Sequence, residues 1–331
     1  MPSQNPSLSF AEQLKRFGPQ SIESPLSEAE ALAFCERLTR SHYENFTVAS
    51  FLLPKKLQRP FQIVYAYCRW SDDLGDEHDG SDEARQRSLE LFDWWQKNLD
   101  ECFAKAGPEP VHPVFIALKT LIAPFRLDKK PFADLLVAFR RDQIRRRYET
   151  FDDLLDYCRY SADPVGRIVL QLAFGAYGHD DGPTPEQLAW SDTICTGLQL
   201  ANFWQDVARD AEIDRRYIPT DIANRFDVDP ENLRENDAFR AMLANLVQDA
   251  RCRLFAGSPL VESVPKPVRI DISLFLRGGF AVLDAIERCG YNVLSGRPVV
   301  TRWRKLCLLL STYFWPNRLP IPSELPPSRS I

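Results

Sequence analysis

Residues 198–219 read LQLANFWQDVARDAEIDRRYIP, from Leu198 to Pro219. Within this stretch Asn202, Asp206 and Asp210 recur at steps of four. An α-helix turns about 100° per residue, so each step moves a side chain only ~40° round the axis. The spacing predicts one polar helix face, with Leu198, Leu200, Phe203, Trp204 and Val207 covering much of the remainder. Hard oxygen donors set into an apolar helix suit Mg²⁺ and the phosphates it carries. Taken alone, the same stripe also reads as carboxylates shown to solvent.

A second stretch bears on that choice. Tyr65–Glu77 reads YAYCRWSDDLGDE, with Asp72 and Asp76 four apart and Arg69 one turn upstream of Asp72. Two aspartate faces far apart in the chain are what a Mg²⁺-bridged diphosphate site needs, because the metals neutralise the phosphate charge. Separately, each stripe could be a solvated face, and Arg69 with Asp72 could be an ordinary i,i+3 ion pair.

The chain has 331 residues and is 44% hydrophobic, enough to bury a substantial core. Its net charge of −5 argues against a nucleic-acid partner. Eight cysteines lie scattered without CxxC spacing, several in apolar helical segments, so reduced and buried thiols in a cytoplasmic protein are expected. The opening MPSQNPSLSF lacks the basic-then-apolar layout of a signal peptide. No apolar run approaches the ~20 residues of a spanning helix. The tail RWRKLCLLLSTYF, Arg302–Phe314, places basic residues before a short apolar run, a layout suited to peripheral contact with the inner face of a membrane. A final core helix is the other reading of that tail.

Sustained period-two alternation is missing, and helical periodicity recurs along the whole chain, so the fold class is all-α. Residues 1–25 carry four prolines and read as a loose N-terminal arm. Ser27 and Glu30 have the spacing of a capping box. Further helices are expected over Leu57–Glu77, Glu83–Ala106, Pro113–Phe125 and Pro131–Tyr148. Gly75 inside the first of these suggests a kink or the close approach of a ligand. Thr150 and Asp153 bracket another helix start, with Pro164 an expected kink. Thr184-Pro185-Glu186 opens the helix carrying the second stripe, and two more helices follow near Leu233–Phe255 and Val268–Leu294. The basic run at Arg140, Arg141, Arg145, Arg146 and Arg147 reads as a solvated helix end or a phosphate site. Without a Gly/Ser linker between the stripes, one domain over 26–300 is expected, with 301–331 as a tail and the site lying in a bundle cavity.

At this point YAYCRWSDDLGD and NFWQDVARD resemble the two aspartate-rich motifs of the head-to-head prenyl synthases, the squalene, phytoene and dehydrosqualene synthases. HYENF at His42–Phe46, LLP at Leu52–Pro54, AFRRD at Ala138–Asp142, YCRYSADPVG at Tyr157–Gly166 and the Arg215–Tyr217 pair extend the resemblance over about residues 40–300. HYENFTVASFLLP and LQLANFWQDV are most similar to the bacterial hydroxysqualene synthases of hopanoid biosynthesis. The resemblance implies an isoprenoid synthase fold with a central cavity and an isoprenoid diphosphate substrate. It implies that Asp72, Asp76, Asn202, Asp206 and Asp210 hold Mg²⁺, while Arg69, Arg215 and Tyr217 contact phosphate oxygens. His42, Phe46, Tyr65 and Gln199 would bind the substrate, and contact with neighbouring pathway enzymes is a further expectation. Two departures stand out: Gln205 where many relatives have Arg, and Glu44 where some have Lys. Both are expected to lower positive charge at the mouth of the site. That would favour presqualene diphosphate as substrate, with water capture, over condensation of two farnesyl diphosphates. A noncatalytic helical partner subunit is the alternative from another class.

Overall fold

The computed structural model describes residues 9–41, 53–76 and 81–314. In chain order the helices are α1 (Phe10–Phe17), α2 (Glu28–Ser41), α3 (Lys55–Asp76), α4 (Asp82–Phe103), α5 (Pro113–Phe125), α6 (Lys129–Ile144), α7 (Phe151–Ser161), α8 (Asp163–Ala176), α9 (Pro185–Gln205), α10 (Val207–Glu212), α11 (Thr220–Arg225), α12 (Asp237–Ala256), α13 (Leu260–Ser263), α14 (Arg269–Arg288) and α15 (Arg302–Phe314). Among the described residues there is no β-strand, so the all-α expectation holds. The helix starts follow local chemistry. Glu30 N–H donates to Ser27 Oγ while Ser27 N–H donates to the Glu30 carboxylate at 2.9 Å, the reciprocal box expected from their spacing. Thr150 with Asp153 forms a second box, and Thr184 with Gln187 a third.

Packing groups the chain into two compact units, 1–144 with 167–183 and 145–166 with 184–331. Within the expected N-terminal arm, residues 10–17 form a helix. Ser9 caps α1, Phe10 packs edge-on against Trp70, and Gln13 accepts a hydrogen bond from Trp70 Nε1 at 3.2 Å. The helix expected to kink at Pro164 is instead two helices, α7 and α8, that meet at Ala162.

In the first unit, aromatic packing fixes α3. Trp70 stacks on Trp95 at 5.4 Å, Tyr67 donates to the Phe132 carbonyl at 2.9 Å, and Trp95 donates to Ser71 Oγ at 2.9 Å. His112 sits among these rings, 4.4 Å from Trp70, where its Nδ1 accepts from Val114 N–H and so caps α5. Burial pushes its pKa well down, so the imidazole stays neutral. Gly75 lies against neighbouring helices: a Cβ there would come 2.8 Å from Gln143 Nε2 and 3.2 Å from Phe92 Cζ. Gln143 Nε2 donates to the Gly75 carbonyl at 3.3 Å. The close approach anticipated at this glycine is made by α4 and α6 side chains, with no ligand needed to explain it.

In the second unit, α9 packs against α12 and α14. Small residues permit the approach, since a Cβ on Gly279 would fall 2.6 Å from Leu198 Cδ2, and one on Gly197 would fall 3.0 Å from Leu254 Cδ2. Asp271, in the first turn of α14, is 4% exposed, and neither carboxylate oxygen finds a partner on another residue. Burial pushes this carboxyl up to about 7. All eight cysteines are free thiols. Cys35, Cys68, Cys102 and Cys195 are pushed up to about 12, mainly by burial, as expected of buried thiols, whereas Cys289 and Cys307 are exposed.

Candidate active site

The first aspartate motif ends α3 in the first unit. Arg69 grips Asp73, with Nε donating to Oδ2 at 3.1 Å and Nη2 to Oδ1, and reaches Asp72 Oδ2 more loosely at 3.5 Å. Asp73 is the buried anchor of this pair, while the Asp72 side chain is 43% exposed. The i,i+3 ion pair anticipated between Arg69 and Asp72 is therefore present, with a stronger i,i+4 contact beside it. Arg69, expected to serve phosphate, is already partnered by protein carboxylates. Tyr65, one turn upstream, is half-buried, and burial raises its hydroxyl pKa, so it stays a proton donor. His42, Glu44 and Phe46 fall outside the described residues, as does the side chain of Asp76.

The second motif lies in the second unit, at the end of α9. The continuous helix expected through Asn202, Asp206 and Asp210 is bent: α9 stops at Gln205, Asp206 takes φ −103° and ψ 13°, and α10 begins at Val207. Helical hydrogen bonding nevertheless carries across the bend, from Asp206 N–H to the Asn202 carbonyl at 3.0 Å and from Asp210 N–H to the Asp206 carbonyl at 2.8 Å. The four-residue spacing thus keeps its meaning through the kink. Asn202 is exposed, Gln199 half-buried and Asp206 buried.

Beyond α10 the chain turns back through Asp214, whose φ is +59°. Arg215 N–H donates to the Asp210 carbonyl at 2.8 Å. Arg216 is spent on the turn, its Nη1 donating to the Ala211 carbonyl at 3.0 Å. Tyr217 stacks on Phe203 with centroids 3.8 Å apart and planes 12° from parallel. Asp210, Arg215 and Tyr217 consequently line one recess with Phe203 and Leu233, about 10 Å³ and so about one water in size. The basic run is accounted for differently: Arg146 and Arg147 pair with Asp214, Arg147 also with Glu231, and Arg145 with Asp153, while Arg140 pairs with Asp93 in the first unit.

Arg297 is the residue the sequence did not disclose. It lies 91 positions from Asp206, yet it bonds both carboxylate oxygens, Nη2 to Oδ2 at 3.0 Å and Nε to Oδ1. The same Nη2 donates to Gln205 Oε1 at 3.0 Å, and Gln205 Nε2 donates to the Pro298 carbonyl at 2.5 Å. Arg297 thus sets a guanidinium against both Gln205 and Asp206. No periodicity or motif marks Arg297; only the Asp73 contact carried a legible signal, its i,i+4 spacing from Arg69.

Burial, followed by the Asp206 charge, pushes the Asp210 carboxyl up to about 6, against the pull of Arg215, Arg209 and Arg297. Crowded carboxylates of this kind suit a divalent cation. Among the described residues no three Asp, Glu, His or Cys side chains gather to hold a metal by themselves. One or two carboxylates per ion, with phosphate oxygens completing the shell, is how Mg²⁺ is commonly bound. The donors present fit that arrangement.

Residues 39–304 match the squalene/phytoene synthase family model. Phytoene synthase from Arthrospira platensis is 28% identical over 302 residues, covering 88% of this chain and 95% of that one. Hydroxysqualene synthase from Sinorhizobium fredii (strain NBRC 101917 / NGR234) is 31% identical over 238 residues, or 70% of this chain and 76% of that one. The crystal structure of squalene synthase HpnC from Alicyclobacillus acidocaldarius is 39% identical, with a TM-score of 0.72 over 80% of this chain and 96% of its own. A dehydrosqualene synthase structure at 22% identity and TM-score 0.69 shares the fold.

Proposed function

Because the chain belongs to the squalene/phytoene synthase family of head-to-head prenyl synthases, we propose that it converts presqualene diphosphate and water to hydroxysqualene and diphosphate, with Mg²⁺ as cofactor. One observation carries the choice of product: the hydroxysqualene synthase stands at 31% identity, against 28% for the phytoene synthase.

In this reaction the carbon–oxygen bond to the diphosphate breaks and the electron pair leaves with the diphosphate. The remaining carbocation rearranges, a water oxygen bonds to it, and that water gives up a proton. Bound Mg²⁺ would neutralise charge on the departing group. Asp72, Asp76, Asn202, Asp206 and Asp210 are the residues assigned to hold it. Arg215 offers a planar guanidinium fork to phosphate oxygens. Tyr217, fixed by its stack on Phe203, lines the same recess as Arg215. Arg69 contributes charge from its Asp73 anchorage. His42, Phe46, Tyr65 and Gln199 are assigned to substrate binding.

Condensation of two farnesyl diphosphates is the second reading, favoured by the phytoene synthase that matches 88% of the chain. Purified enzyme given presqualene diphosphate, Mg²⁺ and oxygen-labelled water, without NADPH, separates the two. Labelled hydroxysqualene as main product, with farnesyl diphosphate a poor substrate, is expected. Rapid use of farnesyl diphosphate with presqualene diphosphate left unchanged would install the second reading.

A further inference from the structure

The last residues of the basic run belong to a segment, 145–149, that lies along the turn carrying Arg215 and Tyr217. Arg216 N–H donates to the Arg146 carbonyl at 2.8 Å, Thr220 N–H to the Tyr148 carbonyl at 3.0 Å, and Asp221 N–H to the Glu149 carbonyl at 3.0 Å. Backbone bonds thus strap the segment to the chain on both sides of Tyr217. Side chains add to them. Asp214, whose positive φ is uncommon for a residue with a Cβ, pairs with Arg146 and Arg147. Arg147 also bonds Glu231, two positions before Leu233 of the recess. Exposed pairs of this kind contribute little singly, so the buried part of the strap decides how firmly the turn is held.

That part is Tyr148, 2% exposed. Its ring stacks with Tyr217 at 5.8 Å between centroids and 22° between planes, and the Arg145 guanidinium lies 4.8 Å from its centre. Tyr217 stacks in turn on Phe203, and Tyr157 on α7 stands 5.6 Å from Tyr148. Aromatic pairs keep to preferred offset or edge-on arrangements, so these neighbours set the tilt of the Tyr217 ring. Groups that meet a ligand hold their geometry only when the packing behind them is fixed. We infer that Tyr148 is a positioning residue: through its stack and its carbonyl it holds Tyr217 and Arg215 in the pose that receives the diphosphate of the substrate. The inference rests on the reading of Arg215 as a diphosphate contact. Tyr148 itself stands behind Tyr217 and makes no contact with substrate.

Calorimetry of the full chain with inorganic diphosphate and Mg²⁺ tests this without turnover. Arg215→Ala should bind at least about tenfold more weakly than wild type, through loss of charge-assisted bonds. Tyr148→Leu should bind about tenfold more weakly, because leucine fills space without a ring face, and Tyr148→Phe should match wild type. If Tyr148→Leu fails to fold, hydrogen exchange on the wild type still decides. Saturating diphosphate and Mg²⁺ should slow the amides of Arg216, Thr220 and Asp221 at least about threefold, since they donate to the strap. Equal affinity in the two folded Tyr148 variants, or unchanged exchange at these amides, would overturn the inference. Weakening in Arg215→Ala with none in Tyr148→Leu removes the positioning role alone. If Arg215→Ala binds like wild type, the diphosphate contact falls and the inference falls with it.

Discussion

Asp271→Asn isolates one buried charge. The carboxyl is 4% exposed and has no partner on another residue, and its pKa rises from the ordinary 3.8 to about 7. That gap of about 3 units corresponds to roughly 4 kcal/mol between the two protonation states. Because the folded pKa is the raised one, the fold holds the proton more tightly than the unfolded chain does. Below pH 3.8 both states are neutral and nothing is lost. As pH climbs from 3.8 toward about 7 the unfolded chain ionises first and stability falls, reaching its full loss above about 7. The loss grows from roughly 1.6 kcal/mol at about pH 5 to roughly 4 kcal/mol at about pH 8. Asparagine keeps the size and removes the titration. Its stability relative to wild type should therefore improve by roughly 2–3 kcal/mol between those pH values, read by urea unfolding followed through the helix signal. A difference that stays constant to within about 0.5 kcal/mol, or narrows, would mean that this carboxyl is hydrated or paired in solution.

Gly75→Ala should lower the unfolding free energy by about 1–2 kcal/mol, read as a lower urea midpoint, despite alanine's helix preference, because its Cβ would meet Gln143 Nε2 at 2.8 Å and Phe92 Cζ at 3.2 Å; an unchanged midpoint would refute the packing described. Arg297→Ala strands Asp206, whose side chain is 8% exposed. With Arg297 itself 45% exposed, the expected cost is discounted to about 1–2 kcal/mol. Adding Asp206→Asn should recover most of it in a double-mutant cycle, and simple additivity would count against the clamp. Asp72→Ala and Asp206→Ala should each cut Mg²⁺-dependent diphosphate release at least about 100-fold while circular dichroism stays the same; near-normal rates at saturating Mg²⁺ would remove both residues from the metal site.

What could be read from the sequence was what repeats locally. Helix spacing gave the two acidic motifs and the all-α class, and the Ser27–Glu30 and Thr150–Asp153 boxes sit where short-range capping chemistry puts them. The bend at Asp206 was not legible, because the Gln205–Pro298 and Arg297 contacts beside it come from residues about ninety positions away. The same distance hid the guanidinium that Arg297 brings to Gln205 and Asp206. Helix α1 was not legible within the expected arm, because prolines and polar residues surround it while two residues, Phe10 and Gln13, supply the contacts that dock it on Trp70. Division into two units has no linker signature, since one of the three crossings between them falls four residues into a continuous helix, after Gly166.

The cysteine distribution gives this protein a ready-made reporter. A thiol pushed up to about 12 is almost wholly protonated near neutral pH and reacts slowly with maleimides, as Cys35, Cys68, Cys102 and Cys195 should. Cys289 and Cys307 are the exposed pair, and they bracket the residues that run from the end of α14 through Arg297 into α15. Fluorophores can therefore be attached to either side of that segment in the native sequence, with no core cysteine removed first. A probe on Cys307 reports on the outward face of α15, and one on Cys289 reports on the chain leading to the clamp at Asp206.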